Sequence, residues 1–167
     1  MKKTAKSILV VGSVGYDTIA TPSGRVENVV GGSANYFSLA AALYAPVSVV
    51  GVVGQDYRNE DLGLLKEKGV DITGLKVEAG DTFRWSGSYL EDLNEAVTLN
   101  TELNVFRNFN PILPEGYKSN EYVFLANIDP TLQLQVLDQV KKPVFVGLDT
   151  MNYWIDSKLS ELKKVLH

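Results

Sequence analysis

Gly31-Gly32-Ser33-Ala34-Asn35-Tyr36-Phe37-Ser38 is the stretch on which the fold turns. Two glycines end an extended run and open an apolar helix, expected over residues 34–45. Glycine lets the backbone turn at positive φ and lets a ligand come close. The first amides of such a helix point outward without an internal partner and favour an anion or an oxygen-rich ligand. Asn35 adds a side chain that donates and accepts, as a polyhydroxylated ligand requires.

Working outward, Ile8-Leu9-Val10-Val11-Gly12-Ser13 reads as a short strand, followed by Val14-Gly15-Tyr16-Asp17. On the other side, residues 47–53 are a run of Val, Ser and Gly ending in Gly54-Gln55-Asp56. Further along, residues 57–68 predict a helix, and residues 70–77 a short extended piece. Residues 121–126 and 143–148 read as strands. Asp129 and Pro130 are suited to open a helix over 130–140, and residues 157–166 predict a last helix. Residues 18–30 read as irregular or extended, with Pro22 and Gly24 marking a turn. Strands alternating with helices imply a parallel sheet with right-handed crossovers. Ligands of such sheets bind beyond the carboxyl ends of the strands. Residues 81–106 break the rhythm: they are rich in β-formers and predict a hairpin or small sheet inserted into the α/β body.

Composition narrows the function. The chain has 167 residues, 45% of them hydrophobic, and a net charge of −4 with both signs interspersed. That balance argues against an electrostatically driven nucleic-acid partner. No cysteine is present, which excludes a disulfide framework, a thiolate nucleophile and a Cys-based metal site. His167 is the only histidine and the final residue, so a Ser-His-Asp triad or a His-based metal site has no basis. No apolar run is long enough to span a bilayer, and the basic Met1–Lys6 start lacks the apolar core of a signal peptide. A cytoplasmic protein is the expectation. Gly12-Ser13-Val14-Gly15 fails the dinucleotide fingerprint, because no helix follows it, and no P-loop motif occurs.

The order strand, Gly-Ser-x-x-x-Asp, Gly-Gly-x-x-Asn helix, strand, Gly-x-Asp resembles the amino-terminal half of the ribokinase-like (PfkB) carbohydrate kinases. The resemblance implies a three-layer α/β ribokinase-like core with a mostly parallel sheet and a small inserted β lid, incomplete at the carboxyl end. Residues 1–80 would form the core with the substrate-side motifs, 81–106 the lid, and 107–167 the continued core. It implies ATP-dependent phosphoryl transfer, with Mg²⁺, to a hydroxymethyl group of a sugar or nucleoside. The family's Asp-Thr-x-Gly-Ala-Gly-Asp and Asn-x-x-Glu segments do not occur in these residues. The chain is therefore expected to be the substrate-side portion of such a kinase, inactive alone, with no catalytic residue of its own. A non-catalytic sugar- or nucleoside-binding module is the alternative.

Within that frame Asp17, Gly31, Gly32 and Asn35 are the expected substrate contacts. Many members carry Lys where this chain has Ser33. Asn127 follows a strand and is a further candidate; Arg84, on the lid, has reach to an anionic substrate group. Each also has a bland reading: Asp17 as a turn residue, Asp56 and Asp129 as helix caps, Arg84 as an exposed strand residue. Asp149 and Asn152 are compatible with a phosphate or metal region or with a plain βα loop. Phe83, Trp85 and Tyr89 suit a lid, a subunit face or a local core. Lid sheets in the resembling family often pair between subunits, so a homodimer through residues 81–106 is expected.

Overall fold

The computed structural model describes residues 6–167; the basic start discussed above lies mostly outside them. Five strands form an all-parallel sheet: β1 (Ile8–Val11), β4 (Val47–Gly54), β5 (Val70–Glu78), β8 (Tyr122–Leu125) and β9 (Phe145–Leu148), in the order β5-β4-β1-β8-β9. All eight residues of β4 are buried. A strand covered on both faces must be largely apolar on both, which is why its sequence is a run of Val and Gly broken only by Ser48 instead of an alternation.

The two faces carry separate cores. Val10, Val49 and Val53 pack with Ala34 of α1 (Ser33–Ala41) and Leu65 of α2 (Asn59–Glu67). Leu9, Val11, Val50 and Val52 pack with Val136 of α3 (Pro130–Leu137) and Val165 of α5 (Leu159–Val165). Alternation along β1 and β4 sends successive side chains to opposite layers, and the result is the expected three-layer α/β body. α3 starts as predicted: Asp129 caps it, accepting from the Thr131 amide at 2.8 Å, with Pro130 in the first turn.

Three expectations change. Residues 18–30 are not irregular: β2 (Gly15–Thr21) and β3 (Gly24–Gly31) form an antiparallel hairpin. The second sheet is correspondingly larger than the insert alone. Its order is β3-β2-β6-β7, with β6 (Arg84–Tyr89) and β7 (Ala96–Glu102) supplied by the 81–106 segment and β2 pairing β6 in parallel. Residues 70–77 are a full edge strand of the main sheet, and a short helix, α4 (Asn152–Ser157), precedes α5.

Burial predicts the energetics. Leu125 of β8 is fully buried in the core that includes Val136 of α3, whereas Leu99 on β7 is 64% exposed. Leu125→Ala is expected to cost about 2–5 kcal/mol, and Leu99→Ala no more than about 0.5 kcal/mol, in urea unfolding. Equal losses at the two positions would contradict the assigned core.

Candidate substrate site

The site is built around the start of α1. Gly32 has φ +91°, and a Cβ there would collide with the Ser13 carbonyl. A side chain at Gly31 would fall on the Asp17 carboxylate. Both glycines are thus required by close approach, one to the first strand's loop and the other to Asp17.

Ser13 and Ser33 fasten this junction. The Ser33 amide donates to Ser13 Oγ at 3.2 Å and the Ala34 amide to the Ser13 carbonyl at 3.1 Å. Two of the first helix amides are therefore already satisfied, contrary to the expectation that they point outward unpaired. Ser33 Oγ accepts from the Asn127 amide at 3.0 Å. One hydroxyl thereby joins the helix start to the end of β8, 94 residues away in sequence. Gln133 completes the arrangement from α3. It is fully buried, and its Nε2 donates to the carbonyls of Ala126 (3.0 Å) and Asp149 (3.1 Å) at the ends of β8 and β9.

Five of the six expected contacts converge here: Asp17, Gly31, Gly32, Asn35 and Asn127. Asn35 is 1% exposed with its Nδ2 unpartnered, and the buried Oδ1 of Asn127 also lacks a partner. A buried polar atom left unpaired costs about 1–3 kcal/mol, a cost that the protein's own hydrogen bonds do not offset at these two atoms. Burial alone pushes the Asp17 carboxyl up to about 6. Tyr36 leans across the same space: its hydroxyl donates to the Val30 carbonyl at 2.7 Å, and burial, then the Asp17 charge, raise its phenol.

Arg84 lies elsewhere. Residues Tyr16 and Arg84 are opposite each other in the β2–β6 ladder, as are Asp17 and Trp85, so Arg84 projects from the face opposite Asp17. Its Nη2 pairs with Asp56 Oδ2 at 2.5 Å. Asp56 does not cap α2, where Arg58 occupies the cap position; its Oδ1 accepts from the Thr82 amide (2.7 Å) and hydroxyl (2.5 Å). Phe83 packs against Phe106, its ring 5.5 Å away, in a local core. Asp129 is engaged by its cap and by Lys158 at 3.1 Å, and burial raises Asp149.

Among the described residues no group of three His, Cys, Asp or Glu side chains is placed to hold a metal ion. Arg58, in the turn before α2, and Arg84, on β6, are committed to Asp61 and Asp56. No helix of the described residues is long and apolar enough to cross a membrane.

The fold is that of the ribokinase-like (PfkB) kinases, as the resemblance implied, and the chain spans about half the length of the relatives it matches. It is 32% identical over 136 residues to a cytidine kinase of Thermococcus kodakarensis, covering 80% of this chain and 48% of that protein. Among solved structures it is similar to the Methanocaldococcus jannaschii nucleoside kinase, an archaeal member of the ribokinase family. There the TM-score is 0.72 at 19% identity, covering 98% of this chain and 58% of that one. An Escherichia coli protein described as a ribokinase II, in complex with ATP and Mg²⁺, gives a TM-score of 0.71 at 14% identity over 97% of this chain and 58% of that one. No family model matches the sequence. These relatives support a kinase-type function.

The raised Asp17 carboxyl makes stability depend on pH with a defined sign. Between its ordinary 3.8 and about 6, the native group keeps a proton that the unfolded chain has lost. Its contribution is present below 3.8 and is lost as pH rises through about 6. Urea unfolding of wild type minus Asp17→Asn should therefore move against wild type from about pH 4 to pH 6 and level off above. A flat difference would place Asp17 in solvent.

Proposed function

We propose that this chain is the acceptor-binding portion of a nucleoside or sugar kinase, with a pyrimidine nucleoside such as cytidine the favoured acceptor. The complete protein would transfer the γ-phosphoryl group of ATP to the acceptor's hydroxymethyl group. The observation that carries this reading is the half-buried Asp17 carboxylate, set against Gly31 at the start of α1 with burial the one cause of its raised pKa. A carboxylate with both oxygens available suits two adjacent hydroxyl donors, as a ribose presents. The buried, unpartnered Asn35 Nδ2 and Asn127 Oδ1 would supply one donor and one acceptor to a ligand that reaches them. The 32% identity to a cytidine kinase favours a nucleoside over a free sugar.

Phosphoryl transfer rests on positioning and electrostatic stabilisation. The residues described here would bind and orient the acceptor. ATP, Mg²⁺ and the base that accepts the hydroxyl proton would be held by the rest of the protein, and this chain alone would be inactive. A cytoplasmic site of action accords with that substrate pair. The exposed Val97 and Leu99 of β7 would meet a second copy, giving a homodimer through the lid.

Two measurements test the reading. Calorimetry of cytidine binding to the complete protein should show Asp17→Asn weakening affinity about 10- to 150-fold, the worth of a charge-assisted hydrogen bond. Unchanged affinity would return Asp17 to a turn role; binding without any ATP-dependent phosphorylation would favour the non-catalytic module. Sedimentation should show a wild-type dimer that Val97→Ser/Leu99→Ser converts to monomer. A dimer persisting in that variant would move the interface elsewhere.

A further inference from the structure

On the face of the lid opposite Asp17, two arginines meet over one tyrosine ring. The Arg58 and Arg84 guanidinium carbons lie 5.0 and 5.3 Å from the centre of Tyr16. Arg84 belongs to lid strand β6 and reaches down to Asp56 at the end of β4, at 2.5 Å. Arg58, in the turn before α2, reaches the other way: its Nη2 donates to the Asn28 carbonyl of lid strand β3 at 3.3 Å. Asn28 is the shared anchor, because its side-chain oxygen accepts from Arg84. It sits at φ +51°, a left-handed conformation that Asn tolerates better than most residues. Tyr16 closes the circuit. Its hydroxyl accepts from the Arg58 amide at 2.9 Å and donates to Asp61 of α2 at 2.8 Å.

Every one of these bonds except Arg84–Asn28 and Arg58–Asp61 joins a lid residue to a core residue. We infer that Arg84 and Arg58, clasping Tyr16, form a latch that sets the height of the lid sheet over the core and so places Asp17 over the start of α1. Arg84 is then a positioning residue and not a substrate contact. The inference on acceptor binding rests on the function proposed above; the latch itself does not.

Three features support it. Tyr16 and Asp17 are consecutive, so a restraint on one backbone position is felt at the next with the side chain on the other face. The Arg84–Asp56 pair is largely shielded, with 32% and 24% side-chain exposure, where a charge-assisted bond holds better than on open surface. Burial would raise the Asp56 carboxyl, yet hydrogen bonds from Thr82 and the adjacent Arg84 hold it below its ordinary value. An open cavity of about 260 Å³ lies between the latch residues, leaving the arginines space to release and re-form.

The test uses the complete protein with Arg84→Met, Arg84→Lys and Asp56→Asn, followed by hydrogen exchange and by calorimetry with cytidine as the probe. Exchange in β2 and β6 should rise about tenfold or more in Arg84→Met and Asp56→Asn, while β4 stays protected. Cytidine affinity should fall about tenfold in both. Arg84→Lys, which keeps the charge beside Asp56, should recover most of each effect. Unchanged lid exchange overturns the latch. Raised lid exchange with cytidine affinity unaltered overturns the positioning role. If β4 also loses protection in Arg84→Met, the comparison with Arg84→Lys decides: equal loss in both means the charge pair is not what holds the lid. If wild type binds no cytidine, the functional reading fails, and lid exchange alone still decides whether the latch exists.

Discussion

The short tie between Ser13, Ser33 and Asn127 governs the molecule. It needs Gly32 at positive φ, because any side chain there would strike the Ser13 carbonyl. Once made, it fixes the first strand's loop, the start of α1 and the end of β8 at one point. The β2–β3 hairpin must then leave and return across the same point, from Gly15 to Gly31. Asp17 consequently arrives over the helix start by chain geometry, with no salt bridge to draw it there. A carboxylate held that way keeps its hydrogen-bonding capacity for something other than protein, and its raised pKa records the burial that this placement imposes.

Two restraints of different kinds therefore meet at Asp17. From below, close backbone packing at Gly31 and Gly32 allows little adjustment. From the other face, the arginines around Tyr16 are charged, flexible and partly solvated. Rigid packing where the acceptor would be oriented, with a releasable polar clasp behind it, suits a site that must admit a ligand and then hold it in one pose. The exposed β7 edge lies beyond both and makes little contact with the core.

Much of this was legible in the residues, for local reasons. The parallel body could be read because continuous apolar runs such as Val47–Gly54 are what doubly covered strands require. Asp17, Gly31, Gly32 and Asn35 could be singled out together because the order of motifs around them resembles that of the kinase family. Asp129 followed by Pro130 gave the start of α3. The failures share one physical cause, which is partners distant in sequence. Residues 24–28 of β3 are exposed, so no burial pattern marks the strand; its hairpin is secured by β6, found more than fifty residues later. Asp56 has the local look of a cap, but Thr82 and Arg84 claim it. Alternation correctly set Arg84 opposite Trp85, yet nothing local showed that a carboxylate from β4 was waiting there. Likewise, the free-amide reading of α1 could not foresee Ser13 folding back to bond two of them. Gln133 left a trace that could have been followed: it shares a helical face, at three-residue spacing, with the buried Pro130 and Val136.

On the proposed function, Asp17 is held ready for the hydroxyls of an acceptor. The most direct test is the titration of the Asp17 carboxyl carbon by NMR in the complete protein, with and without saturating cytidine. Without ligand the midpoint should lie near 6. With cytidine bound it should fall, because hydroxyl donors stabilise the charged carboxylate. A midpoint that stays in place while cytidine is bound would show that the acceptor does not touch Asp17, and would contradict the account.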